Sequence, residues 1–80
     1  MKKKKIMLSS VNDAKAFVEA AGKCDFDVDI YYNSMMIDAK SILGVLSMDL
    51  TKVLTVQMHG DNDAFEMYLD ELAAKTINAA

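Results

Sequence analysis

Eighty residues with a formal net charge of −3, 52% apolar side chains, no proline and three glycines predict one domain spanning 1–80, built mainly of regular elements. The acidic balance outside the run Lys2–Lys5 argues against a nucleic-acid partner, and no apolar run approaches the ~20 residues of a membrane span. One cysteine, Cys24, rules out an intramolecular disulfide and fits a reducing, cytoplasmic setting, and the three-residue apolar stretch after the lysines is too short for a signal peptide.

The chain opens on "KKIMLS", where Ile6 and Leu8 share one face of a short strand. The lysines before it read as a solubilising edge or a frayed terminus. In "SSVNDAKAFVEAAG", Val11, Ala14, Phe17, Val18 and Ala21 recur at helical spacing. Ser9 or Ser10 can cap that helix. Asp13, three residues after Ser10, approximates a capping box, and Gly22 is placed to end it.

"DFDVDIYY" alternates strictly, with Phe26, Val28, Ile30 and Tyr32 on one face and Asp25, Asp27, Asp29 and Tyr31 on the other. That is the pattern of a half-buried antiparallel strand. Asn33-Ser34 makes a two-residue turn into a second strand, "MMID". Ser41 then precedes a short apolar helix containing Ile42, Leu43, Val45 and Leu46. "VLTVQMH" alternates again through Leu54, Val56 and Met58. A last helix follows the cap-forming residues Asp61, Asn62 and Asp63, with an apolar stripe through Phe65, Tyr68, Leu69, Leu72, Ala73, Thr76 and Ile77. The string βαββαβα predicts an α+β open-faced sandwich, a four-stranded antiparallel sheet with its apolar face covered by three helices.

Chemistry-bearing constellations are sparse. His59 is the only histidine and has no cysteine or second histidine to complete a metal site. Asp25, Asp27 and Asp29 line a strand face, where a hard cation would want ligands converging from a loop. No glycine-rich phosphate loop is present. An enzyme on a ferredoxin-like frame would share this element string, but no acid–base or metal constellation supports one, and no cofactor is implied.

Within that string, "FVEAAGKCDFDVDIYYNSMMIDAKSILGVLSMDL", Phe17 to Leu50, resembles HPr, the small phosphocarrier of the bacterial sugar phosphotransferase system. The segment "AKSILGVLS" is close to the "KSIMGVMS" type found in HPr of low-GC Gram-positive bacteria. The resemblance implies the HPr fold and a protein that works by docking other proteins. HPr carries its phosphoryl group on a histidine in a motif like "GLHARPAAKFV". Counting back from Phe17-Val18, the histidine's place falls on Ser10, the arginine's on Asn12 and the proline's on Asp13.

A phosphoserine ester does not pass on its phosphoryl group as a phosphohistidine does, and losing arginine removes a bidentate phosphate partner. Asp13 adds a like charge where phosphate would sit. The resemblance therefore implies an HPr relative without phosphohistidine relay. The serine that an ATP-dependent HPr kinase phosphorylates in Gram-positive HPr matches Ser41, and the family's apolar docking patch matches Ile42, Leu43 and Leu46. The same combination marks the catabolite-repression HPr-like type, a phosphoserine-dependent corepressor of a transcription factor. Partners so implied are an HPr kinase and a transcriptional regulator or transport-system protein. The alternatives are a vestigial or accessory homologue without phosphorylation, and a phosphocarrier using a non-standard site.

Overall fold

The computed structural model describes residues 2–78, with side chains through Ala73. Seven elements follow in order: β1 (Lys2–Ile6), α1 (Val11–Gly22), β2 (Val28–Tyr32), β3 (Met35–Asp38), α2 (Ile42–Leu46), β4 (Leu54–Met58) and α3 (Asp63–Asn78). The strands form one antiparallel sheet in the order β1-β4-β2-β3. This is the α+β open-faced arrangement that the alternation and the helical stripes imply.

Register fixes which residues share a face, because side chains directly opposite in an antiparallel pair point the same way. Ile6 lies opposite Leu54, Ile30 opposite Val56 and Val28 opposite Met58. All six are buried, and they form one core with Ala14, Phe17 and Ala21 of α1, Val45 of α2, and Phe65, Leu69 and Leu72 of α3. The Phe17 and Phe65 rings meet at 6.2 Å between centroids, joining α1 to α3 above the sheet. Thr55, Gln57, Asp29 and Tyr31 point to the opposite, open face.

Of the two readings of the lysine run, the edge holds and the frayed terminus does not. The run is strand β1 itself, and Leu8, buried, lies beyond its end. Lys4 lies opposite Val56 and Lys2 opposite Met58, so both point to the helix-covered face. Their long stems cover apolar surface while the ammonium groups reach α3. Lys2 Nζ lies 3.0 Å from both Asp61 Oδ1 and Glu66 Oε1, and Lys4 pairs with Asp70. Lys3, on the open face, lies over the Tyr31 ring. The unfavourable strand propensity of lysine is outweighed by pairing with β4 and by these acidic partners.

Three smaller differences also have local causes. Val11, placed on the apolar stripe by periodicity, is 51% exposed because it opens the first turn, ahead of the part of α1 that meets the core. Strand β2 begins at Val28 rather than Asp25, and Phe26 instead packs partly buried against the core. A Cβ on Gly60 would lie 2.4 Å from the Phe26 ring, so only glycine allows the turn after β4 to pass there. Tyr32, at the hairpin, is 37% exposed. Asn33 takes up the left-handed conformation that the two-residue turn needs (φ 54°). α1 does end at Gly22, without a left-handed glycine, because the Lys23 N–H continues the turn onto Ala20 O. Thr76 and Ile77 of the expected stripe lie outside the residues whose side chains are described.

Candidate functional site

Ser41 occupies the N-cap of α2, with an extended backbone (φ −100°, ψ 109°). Its Oγ accepts the Gly44 N–H at 3.2 Å, and its carbonyl accepts the Val45 N–H at 3.0 Å. The preceding turn is built by Asp38. One carboxylate oxygen of Asp38 accepts the Lys40 N–H at 2.9 Å, and its carbonyl accepts the Ser41 N–H at 3.0 Å. The Lys40 ammonium donates to Cys24 O at 3.0 Å, tying this turn to the loop after α1. A cap of this kind satisfies one of the orphan donors of a helix start.

Ser41 is exposed, and so is its neighbour Leu43, at 80%. Ile42 is half-buried, and Leu46 is half-buried against the core. Of the three apolar residues matched to a docking patch, Leu43 is thus fully presented and the other two offer part of their surface. Gly44 sits so close to β3 that an added Cβ would fall 2.6 Å from Ile37 Cγ2.

The start of α1 is organised around Ser10 and Asp13. Ser10 Oγ accepts the Asp13 N–H at 3.1 Å. The Asp13 carboxylate reaches back to Ser9, accepting its backbone N–H at 3.0 Å and its hydroxyl at 2.5 Å. The expected capping box therefore closes through Ser9 rather than on Ser10's own amide. Asn12 is exposed beside it. The positive end of the helix dipole is thereby matched by a resident carboxylate. Burial pushes the nearby Tyr68 phenol up, and the charges of Asp13 and Glu71 add to that.

His59 lies one residue past β4, on the open face of the sheet. Its N–H donates to Asp27 O at 3.0 Å, and its Nε2 is 2.9 Å from Asp29 Oδ2. Of the aspartates expected to line a strand face, Asp29 alone lies within β2 and meets His59 through its carboxylate, and Asp27 contributes its carbonyl. Among the described residues no three His, Cys, Asp or Glu side chains gather as a metal site. A cleft of about 340 Å³ between α1 and α3, lined by Ala20, Lys23, Phe65 and Tyr68 among others, touches neither Ser10 nor Ser41.

Residues 11–77 match the family described as the PTS HPr component phosphorylation site. The chain belongs to the HPr family. Among solved structures, it is similar to HPr-C-His from Thermoanaerobacter tengcongensis, with 23% identity, a TM-score of 0.76 and 92% of each chain covered. It is also similar to the phosphocarrier protein HPr from Bacillus anthracis, with 27% identity, a TM-score of 0.65, and 91% of this chain and 93% of that one covered. HPr is a component of the phosphotransferase system that works through other proteins of that system. Among the described residues no helix is long and apolar enough to cross a membrane. The matched HPr stretch starts one residue after Ser10 and contains the chain's single histidine, His59.

Ser9, one of two possible caps by sequence, holds Asp13 instead, and Lys40, with no role by sequence, anchors the Ser41 turn. The serine doublet left the cap ambiguous between Ser9 and Ser10, and nothing local links Lys40 to Cys24, sixteen residues earlier.

Proposed function

We propose that this HPr-family chain is a cytoplasmic regulatory module that binds other proteins, is controlled by phosphorylation of Ser41, and acts neither as an enzyme nor as a phosphohistidine carrier. The observation that carries the reading is the pairing of two helix starts. At α2 an exposed Ser41 hydroxyl is held beside the exposed Leu43. At α1 the place of the family's histidine falls on Ser10, a capping residue, with the Asp13 carboxylate alongside.

A phosphate on Ser41 adds a charge of about −1.5 to −2 next to an apolar side chain. The backbone N–H groups and dipole at the start of α2 favour that charge. A partner reading Leu43 together with Ile42 and Leu46 would then meet an anionic surface where it had met an apolar one. The agents this reading calls for are an HPr kinase that delivers the phosphate from ATP and a transcriptional regulator or transport protein that reads the result.

At α1 the local charge opposes a phosphoryl group. An incoming phosphoryl group would meet the Asp13 carboxylate, and Asn12 offers no guanidinium to bind it. Incubation with phosphoenolpyruvate and the first enzyme of the phosphotransferase system tests this half. No acid-labile phosphate is expected on the chain. Acid-labile phosphate on His59 or elsewhere that passes to a sugar-specific acceptor would overturn it.

A further inference from the structure

The two edges of the sheet are built differently. Edge β1 carries Lys2 to Lys5 in succession, two turned under α3 and two on the open face. Charges on an edge strand, some pointing inward, are a common defence against pairing with another chain. Edge β3, "MMID", has no lysine, no proline and no break in its register with β2. Met36 is 62% exposed, Met35 48%, and Ile37 is half-buried.

We infer that the free edge of β3 pairs with the same edge of a second copy of this chain, giving a two-fold dimer whose two four-stranded sheets run on as one. The backbone supplies the first argument. The Ala39 N–H donates to Val28 O at 2.9 Å, so Ala39, Ile37 and Met35 turn their amides toward β2. By the same alternation Met36 turns its N–H and C=O outward. An antiparallel pair centred on Met36 lets the two copies exchange both of these bonds.

Register supplies the second. In that arrangement Met36 faces Met36 of the second copy on the open face, and Met35 faces Ile37 of the second copy on the helix-covered face. Asp38 falls opposite Ser34 of the second copy, so no like charges meet. Charge then selects the occupant. A β1–β1 pairing would set lysines against lysines. A β1–β3 pairing would lay lysines along an apolar edge and leave a free edge at each end to grow. The β3–β3 pairing leaves only lysine edges outward, so assembly stops at two.

Sedimentation equilibrium of the whole chain, from micromolar to millimolar concentration, tests the inference. The mass should rise from 8.8 kDa toward twice that value. The Met36 amide should exchange with solvent roughly tenfold more slowly once nine chains in ten are paired, since exchange then requires the free chain. Met36→Lys should remain at 8.8 kDa and keep the thermal midpoint of the parent measured dilute enough to be monomeric, the side chain being exposed. A mass that stays at 8.8 kDa throughout would overturn the inference and leave the edge to an extended peptide from another protein. Growth beyond two copies, or dimerisation of Met36→Lys equal to the parent, would overturn it equally.

Discussion

Gly44 and Ile37 stand so close that a methyl group at Gly44 would lie 2.6 Å from Ile37 Cγ2. This contact seats α2 on β3 and so fixes where Ser41 is presented. The Ile37 methyl is attached at its β-carbon and cannot swing aside as a longer side chain would. Gly44→Ala should therefore destabilise by about 1–3 kcal/mol from overpacking, although alanine is the better helix former by about 0.5–1 kcal/mol. In an Ile37→Ala background the cost of the same change should shrink, leaving the contact with Ser41 Oγ at 3.1 Å. Denaturant titrations of the four proteins provide the check, and an equal effect in both backgrounds would contradict the contact.

Ser41 acts on α2 through one hydrogen bond, from Gly44 N–H to Oγ. Ser41→Ala should lower stability by about 1 kcal/mol, equivalent to a fall in thermal midpoint of about 4–8 °C for a domain of this size. Ser41→Asp keeps an acceptor and places a charge where the helix dipole favours it, so its midpoint should stay near the parent's. An unchanged midpoint in Ser41→Ala would show that the cap contributes nothing.

Stability should hold over a broad plateau and fall first on the alkaline side. Burial raises the Cys24 thiol, partly offset by Lys40, and burial also raises the Tyr68 phenol. Hydrogen bonds to Asp61 and Glu66 raise Lys2. Each group holds its proton more tightly in the folded chain. The associated stability is complete below the ordinary values, 9.0 for Cys24, 10.0 for Tyr68 and 10.5 for Lys2, and is lost as pH rises through the raised ones. Lys2 is exposed, so its share is small and fades with salt. On the acid side, hydrogen bonds from Thr51 lower Asp49, whose contribution is present above 3.8 and lost as pH falls through the lowered value. Thermal midpoints measured against pH should show Tyr68→Phe flattening the decline that begins near pH 10. An unchanged alkaline slope in that variant would contradict the assignment.

The elements that could be read from the sequence are those whose partners lie within their own period. The alternation of Val28, Ile30, Leu54, Val56 and Met58 is the core face of the sheet, and Ser41 is placed as a cap by its position before Ile42. What could not be read depended on distant partners. Lysines make a poor strand by propensity, and the carboxylates that hold Lys2 and Lys4 lie about sixty residues away on α3. The residues proposed as a docking patch were legible as three apolar positions but not as one exposed and two half-covered side chains. That division depends on how α2 rests against Ile37 and the core. The site at α1 was legible as a substitution of residue types. Its wiring through Ser9 depends on a backbone bend that spacing does not encode.

The most direct test of the account is mass spectrometric localisation of phosphate after incubation with an active Gram-positive HPr kinase and ATP. A single phosphate on Ser41, absent in Ser41→Ala, is expected. Altered partner binding is expected when Leu43, the most exposed of the three residues, is replaced by a polar side chain. An unmodified Ser41 under conditions where the kinase phosphorylates an authentic HPr would contradict control by phosphorylation, leaving Ser41 as a helix cap alone.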